Sequence, residues 1–396
     1  MVLIKQAVIL AGGKGTRLAP FTETNPKPMY PINGRPFLEY LVEMLQTNGI
    51  KEIVMLLGYL PEKITGHFDD GAKFGVSIKY SITPVEYETG ARLKQAMALL
   101  DEHFLMMNCD SYLPLNLPKF LAFHNQAEAL VSVAVYNNKD GFSRSNMLVG
   151  EDDFVKKYDR TRKTPGLNGV ELGQWLVNKK ALTYLPKHNA AFAEEVQPLL
   201  ISLKQVRAYR TDHPYYSADR PERIPATEKF LRPKKVIFLD RDGTINKSRG
   251  VPGNPDYVKN PTEFEFLPGA ITAIQQLAAS GYQIYVISNQ PGIARGLMTE
   301  TDLTAIHSKM QDGLKAVGVD LAGIYYCPHG WQDGCDCRKP KPGMFIRAAR
   351  EHYIDLTKAV MIGDNERDVQ ASEAAGCRML LLQPGQTLLE IVQAVI

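Results

Sequence analysis

The chain has 396 residues, 44% hydrophobic and 22% charged, a globular composition spread over more length than one ordinary core organises, so two domains are expected. A formal charge of +3 is small for this length and no run of five or more like charges occurs, which argues against nucleic acid or a membrane surface as the main partner. No apolar stretch reaches the roughly 18 residues of a spanning helix, and the apolar start runs into glycines without a small-residue cleavage site, so a cytoplasmic protein is expected.

In chain order, apolar runs predict strands over residues 6–10, 52–57, 77–80, 104–107 and 130–136, with a helix over 36–48 stopped by Gly49. The stretch 226–235 then interrupts the pattern with a proline and a basic cluster, and a new β-branched strand starts at 236–239. The boundary is placed near Arg232, giving domains 1–231 and 232–396. Beyond it come a helix over 269–280, a strand over 282–287 and a helix over 299–317 capped by Thr299. A strand over 359–362 and a helix over 366–375 ended by Gly376 follow. Strands alternating with helices predict an α/β fold with two domains, each a mainly parallel sheet flanked by helices. Every chemical motif then falls at the C-terminal end of a strand, where open α/β sheets bind ligands.

In the second half, Asp240 and Asp242 of FLDRDGTIN leave the tip of a buried-type strand two residues apart, on one side if the strand geometry persists. Alone they are no more than two loop aspartates. Ser288 after one strand, Lys339 in CRKPKPG and Asp364 after another complete the set in order. Phosphoryl transfer needs these parts: a carboxylate nucleophile, a proton donor, a hydroxyl and an ammonium for the phosphoryl oxygens, and a further carboxylate for Mg²⁺.

Cys327-Pro-His329 followed by Cys335-Asp-Cys337 offers three thiolates and an imidazole within eleven residues, a closed four-ligand site suited to structural Zn²⁺. Unliganded reduced cysteines are the plainer alternative. Because Cys337 adjoins Arg338 and Lys339, the metal is expected to hold the loop that carries them.

The DRDGT, strand-serine, lysine and GD motifs resemble those of the haloacid dehalogenase superfamily. Within it, GTIN, SNQPGIARG, YYCPHG, CDCRKPKPGM and GDNERDVQA are similar to the D-glycero-D-manno-heptose 1,7-bisphosphate phosphatases and the related histidinol-phosphate phosphatases. The resemblance implies a Rossmann-like domain with a minimal cap. In it Asp240 is the nucleophile and Asp242 the acid and base, while Mg²⁺ sits on Asp240, the Asp242 carbonyl and Asp364. Ser288 and Lys339 hold the phosphoryl oxygens, with Asn289 close by. Arg295 and Arg338 suit a second phosphate or the sugar, since guanidinium forks match phosphate oxygens. The family commonly has lysine where Asn365 stands.

In the first half, Leu10-Ala11-Gly12-Gly13-Lys14-Gly15-Thr16-Arg17 follows the opening strand as a glycine-rich loop whose backbone N–H groups can approach phosphates. With Pro26-Lys27-Pro28-Met29 and Gly34-Arg35-Pro36 it resembles the sugar-1-phosphate nucleotidyltransferases. That resemblance implies a Rossmann-like domain binding a nucleoside triphosphate, charge stabilisation by Arg17 and Lys27, Mg²⁺ on Asp110 and a sugar-binding segment at Gly173. Two departures stand out. Ser217 occupies the position of the second metal aspartate, with Asp219 two residues on, and the glutamate–lysine pair is blurred, leaving Lys157 and Lys163 as candidates for the sugar phosphate.

The reading is a bifunctional enzyme of sugar activation, dephosphorylating a heptose bisphosphate and transferring a nucleotidyl group, from GTP by resemblance to heptose and mannose 1-phosphate guanylyltransferases, to the sugar 1-phosphate. Two alternatives stay open: a phosphatase with a non-catalytic N-terminal binding module, and a histidinol-phosphate phosphatase.

Overall fold

The computed structural model describes residues 2–249 and 256–396. Two compact units emerge, one ending at Arg232 and the next beginning at Pro233.

The first unit is built on seven strands: β1 (Gln6–Ala11), β2 (Glu52–Leu57), β3 (Ser77–Ile82), β4 (His103–Asn108), β5 (Val131–Tyr136), β6 (Val170–Asn178) and β7 (Val206–Thr211), in the sheet order β7-β5-β6-β4-β1-β2-β3. Only β6 runs antiparallel to its neighbours β4 and β5. The central strands read as unbroken apolar runs because helices cover both faces. Thus Val8, Val54 and Met106 are buried in one core with Val133 and Trp175. Helix α1 (Phe37–Thr47) buries Phe37, Leu38, Leu41 and Leu45 and ends before Gly49, whose φ of 80° suits a residue without a Cβ. Helices α2 (Thr89–Gln95), α3 (Leu117–His124) and α4 (Ile224–Leu231) matter for the site below.

The second unit is a wholly parallel sheet of β8 (Lys235–Leu239), β9 (Tyr282–Asn289), β10 (Gly323–Cys327), β11 (Val360–Gly363) and β12 (Arg378–Leu381), in the order β10-β9-β8-β11-β12. Alternation along β8 feeds two cores: Val236 and Phe238 join Tyr285 and Ile287 on one face, Ile237 and Leu239 join Ile284 and Val286 on the other. The crossover helices are α5 (Ala270–Ala279), α6 (Glu300–Lys315), α7 (Gly343–His352) and α8 (Glu366–Ala375). Thr299 closes a capping box with Asp302 at the start of α6, and Gly376 ends α8 with φ 86°. Among the described residues no helix is long and apolar enough to cross a membrane.

Each sheet has a place where the strand order reverses, between β1 and β4 in the first unit and between β8 and β11 in the second. Crevices at such switch points take ligands in open α/β sheets, and both sets of chemical residues lie there.

Candidate active sites

In the second unit Asp240 follows β8, Ser288 is the penultimate residue of β9, and Asp364 follows β11. Lys339 comes in from the loop before α7. Its Nζ lies 2.7 Å from Asp240 Oδ1 and 2.5 Å from Asp368 Oδ1, and it donates to the Ile287 carbonyl at 3.1 Å. Asn289 is half-buried, and its Nδ2 donates to the Lys339 carbonyl while its Oδ1 accepts from the Lys339 N–H, both at 3.0 Å, which helps to fix Lys339. Gly243, at φ 92°, lets Asp364 close in, for a Cβ there would stand 2.1 Å from Asp364 Oδ2.

Asp368 is a member of this site that the sequence reading passed over. It sits at the third position of α8, where its Oδ2 accepts from the Asn365 N–H, and its spacing of four from Asp364 across a helix start is the signal that marks it. Carboxylate oxygens of Asp240, Asp364 and Asp368 lie within 4.8 Å of one another, a donor set of hard oxygens that fits a divalent cation such as Mg²⁺. Burial, then the charges of Asp368 and Asp364, push Asp240 up to about 8 against the pull of Lys339. Burial and the Asp368 charge push Asp364 up to about 6. Lys339 stays protonated, its burial outweighed by Asp240 and Asp368. One ammonium faces three carboxylates, and the surplus negative charge is what a cation cancels.

The Asp242 carboxylate turns elsewhere. It accepts from the fully buried Arg241 (Nη2, 2.8 Å), from Asn246 Nδ2 (2.9 Å) and from Gln290 Nε2 (2.8 Å). Burial would raise its pKa, but Arg241 and these donors hold it below the ordinary range. Gln290 also donates to Ser288 Oγ at 2.7 Å, tying the hydroxyl to the acid–base group. Arg241 in turn lies 3.3 Å from His307 Nε2 on α6.

The four soft donors meet as expected. Cys327 Sγ is 3.7 Å from Cys335 Sγ and 3.3 Å from Cys337 Sγ, and His329 Nδ1 is 3.5 and 3.2 Å from Cys327 and Cys337. Tetrahedral Zn–S bonds of about 2.3 Å put sulfurs roughly 3.7 Å apart, so the set fits zinc. Arg338, next along the chain, donates to the His329 carbonyl at 3.2 Å and lies 4.3 Å from the Trp331 ring centroid, its buried Nε without a partner. Arg295 donates to Tyr257 Oη at 2.9 Å.

In the first unit Leu10, Gly12, Gly13, Lys27 and Asp110 line one cavity of about 320 Å³, with Ala11 buried behind them in β1. Gly15 has φ 67° and packs on Lys27, where a Cβ would stand 2.5 Å from the lysine Cβ. Lys27 Nζ is 2.5 Å from Asp110 Oδ2. Thr16 and Arg17 form a short turn beyond the loop, and Arg17 Nη1 reaches Asp219 Oδ2 at 3.6 Å. The loop is braced from below by Arg92 of α2, a buried guanidinium that donates to the carbonyls of Leu57 (2.7 Å), Val85 (3.1 Å) and Gly12 (3.3 Å) and to the Thr83 hydroxyl. Gly173, φ 72°, lets β6 approach Asn108, for a Cβ there would stand 2.5 Å from Asn108 Nδ2.

Lys157 is a different matter. A bulge between Val155 and Lys157 directs it to a separate cavity of about 360 Å³ with Lys156 and Lys204, not to the one holding Asp110. Nor is Asp219 available as a second metal carboxylate, since Arg17, Arg220 and Arg223 surround it.

A nucleotidyl transferase family model matches residues 6–143, and a HAD-hydrolase-like model matches residues 336–395. The D-glycero-beta-D-manno-heptose-1,7-bisphosphate 7-phosphatase of Bordetella bronchiseptica is 42% identical over 151 residues, 38% of this chain and 82% of that protein. The protein of the same name from Pasteurella multocida is 42% identical over 164 residues, 40% of this chain and 86% of its own. The structure of HddC from Yersinia pseudotuberculosis shares the fold over 58% of this chain and all of its own, at 22% identity and a TM-score of 0.50. The chain therefore belongs to the D-glycero-beta-D-manno-heptose-1,7-bisphosphate 7-phosphatase family, and it joins that HAD-like phosphatase domain to a nucleotidyl transferase domain.

Proposed function

We propose that the C-terminal domain removes the 7-phosphate of D-glycero-D-manno-heptose 1,7-bisphosphate and that the N-terminal domain then joins a nucleotidyl group to the heptose 1-phosphate. The observation that carries the first half is the convergence of Lys339 on Asp240 and Asp368 with Asp364 beside them. An Asp240 carboxylate oxygen attacks phosphorus, and the ester P–O bond breaks as the sugar oxygen takes a proton from Asp242. Water next attacks the aspartyl phosphate, loses its proton to Asp242, and phosphate leaves with Asp240 restored. Because Arg241 and its companions keep Asp242 ionised in the free enzyme, Asp242 first takes a proton from the substrate's phosphate monoanion and passes it to the leaving oxygen, and the proton it later takes from water goes to solvent. The carboxylates of Asp240, Asp364 and Asp368 would hold Mg²⁺, which would supply charge neutralisation for an anion approaching an anion. Zinc on Cys327, His329, Cys335 and Cys337 would have four protein ligands and would therefore serve structure. Arg295 and Arg338 are the guanidinium groups suited to the phosphate that stays on the sugar.

In the N-terminal domain an oxygen of the sugar 1-phosphate attacks the α-phosphorus of a nucleoside triphosphate and the bond to pyrophosphate breaks. GTP as donor rests on the resemblance to heptose and mannose 1-phosphate guanylyltransferases. Phosphorylated sugars and nucleoside triphosphates fit a cytoplasmic setting. Ser217 and the Lys27–Asp110 pair favour a second reading, in which this domain binds ligand without turning it over.

The test is phosphate release from both anomers of the heptose bisphosphate and from histidinol phosphate, with Asp240→Asn as control, and pyrophosphate release from sugar 1-phosphate with each nucleoside triphosphate. Histidinol phosphate cleaved as fast as the bisphosphate refutes the sugar assignment, and activity retained by Asp240→Asn refutes the nucleophile. No pyrophosphate above blank leaves the phosphatase standing alone.

A further inference from the structure

Where a second metal carboxylate is expected, the first unit has built a cluster of guanidinium groups. The two-residue strand Tyr216–Ser217 pairs with Ser111–Tyr112, Ser217 opposite Ser111, and the Ala218 N–H donates to the Asp110 carbonyl at 2.9 Å. Ser217 therefore stands directly beside the cavity wall that carries Asp110. Its buried hydroxyl donates to Asp219 Oδ1 at 2.7 Å and accepts from Arg223 Nη1 at 3.0 Å. Asp219 gathers Arg223 Nη1 at 3.4 Å, Arg220 Nε at 3.2 Å and, from the glycine-rich loop, Arg17 Nη1 at 3.6 Å. Arg220 also lies 3.8 Å from Glu222. Thr227 on α4 secures the turn by donating from its hydroxyl to the Ser217 carbonyl at 2.8 Å.

The charge count decides what such a cluster takes. Three guanidinium groups share one mostly buried carboxylate, whereas their own side chains are 64%, 39% and 37% exposed for Arg17, Arg220 and Arg223. A guanidinium carries five N–H donors, more than the bonds to Asp219 and Ser217 use, and planar forks of this kind match phosphate oxygens. A serine in place of a carboxylate removes the group that would recruit a cation, and the arginine bonded to that serine brings a fixed positive charge to the same place.

The geometry points to Ser217, Asp219, Arg220 and Arg223 as a cradle that, with Arg17, binds the phosphate tail of the nucleotide and takes over charge that a second metal carboxylate would recruit. Asp219 is the positioning residue that gathers the arginines, and Ser217 orients Arg223. The inference rests on the nucleotide-binding reading of this domain, and a metal-free binding measurement separates the two.

Titration calorimetry on the full chain uses inorganic pyrophosphate and GTP as probes at fixed ionic strength, with chelator and then with Mg²⁺. The cradle predicts pyrophosphate binding without divalent cation, weakened at least about tenfold in Arg223→Gln and in Arg220→Gln, the scale of one charge-assisted hydrogen bond. Ser217→Asp neutralises Arg223 and weakens pyrophosphate similarly. Melting curves confirm that each variant is folded at the assay temperature, and Arg223→Gln decides the matter if Ser217→Asp does not fold. Binding that appears only with Mg²⁺ and is unchanged in Arg223→Gln overturns the cradle while leaving the nucleotide reading intact. So does a gain of Mg²⁺-dependent affinity in Ser217→Asp. No binding of either probe under any condition overturns the nucleotide reading itself.

Discussion

Gly243→Ala isolates the geometric demand at the cation site. Gly243 has φ 92° and its added Cβ would lie 2.1 Å from Asp364 Oδ2, with the carboxyl carbon at 2.7 Å. Two costs follow. Holding alanine at positive φ takes about 1–2 kcal/mol, and the carboxylate must retreat by more than an ångström to reach ordinary contact. A misplacement of about 1 Å at a reacting centre costs on the order of 100-fold in rate. Gly281→Ala supplies the control, because Gly281 has φ 81° and nothing within 4 Å of its would-be Cβ. Both variants should lose a few degrees of melting temperature, at about 2–4 °C per kcal/mol for domains of this size. Only Gly243→Ala should lose phosphate-release activity, with a higher Mg²⁺ requirement. The assay is steady-state phosphate release against Mg²⁺ concentration, with melting curves alongside. Gly243→Ala activity within about threefold of Gly281→Ala would refute the claim that Asp364 must approach over this glycine.

Three further outcomes follow from the same structure. If the Cys327, His329, Cys335 and Cys337 cluster holds zinc as proposed, Cys335→Ser should lower the zinc content measured by elemental analysis and lower phosphate release through the Arg338–Lys339 loop; zinc content equal to that of the natural protein would contradict the ligand assignment. Arg92→Lys cannot satisfy the four acceptors grouped around Gly12, so it should weaken GTP binding at least about tenfold and lower the melting temperature; unchanged GTP affinity would make Arg92 a fold brace only. His124, buried on α3 with Nδ1 2.8 Å from Ser132 Oγ, is pushed down to about 4 by burial, then by His103 and Arg207. It is neutral in the folded state, so the unfolded chain takes up the proton first. That stability is present above pH about 6.5 and is lost as pH falls towards 4, by about 2 kcal/mol at pH 5. Denaturant unfolding in a Trp331→Phe background, which leaves Trp175 as reporter for this domain, should show the loss, and His124→Asn should flatten it.

Much of this was legible in the sequence for a physical reason. Strands buried on both faces must be nearly all apolar, so β1, β2, β4 and β8 show as runs, and the residues at their tips, Gly12, Asp110 and Asp240, follow directly. Capping chemistry is local as well, which is why Thr299 and Gly376 mark helix ends. β6 was not legible as a strand: Glu171, Gly173 and Gln174 break its apolar pattern, and pairing with β4 and β5 far away in sequence makes it one. Nothing in the helix pattern over 366–375 sets Asp368 apart, and only the folded position of α8 brings it to Lys339. That Lys157 lines a different cavity could not be read from the sequence, because the register shift beside it arises only when residues 155–158 pair with residues 147–149. Arg220 and Arg223 acquire meaning only from the carboxylate they share.

The two sites are opposite in charge, and that opposition has a functional consequence. In the phosphatase, three carboxylates gather about one ammonium, and two like charges 4 Å apart repel by about 4 kcal/mol at an effective dielectric of 20. That site holds phosphate only once a cation has offset the surplus. In the nucleotidyl transferase domain three guanidinium groups gather about one carboxylate, and the anion itself is the missing charge. A single chelator titration on the intact chain should therefore split the activities: phosphate release disappears and returns with Mg²⁺, while pyrophosphate stays bound throughout. Loss of both together would mean that the arginines do not replace a cation and that the Lys27–Asp110 wall still waits for one.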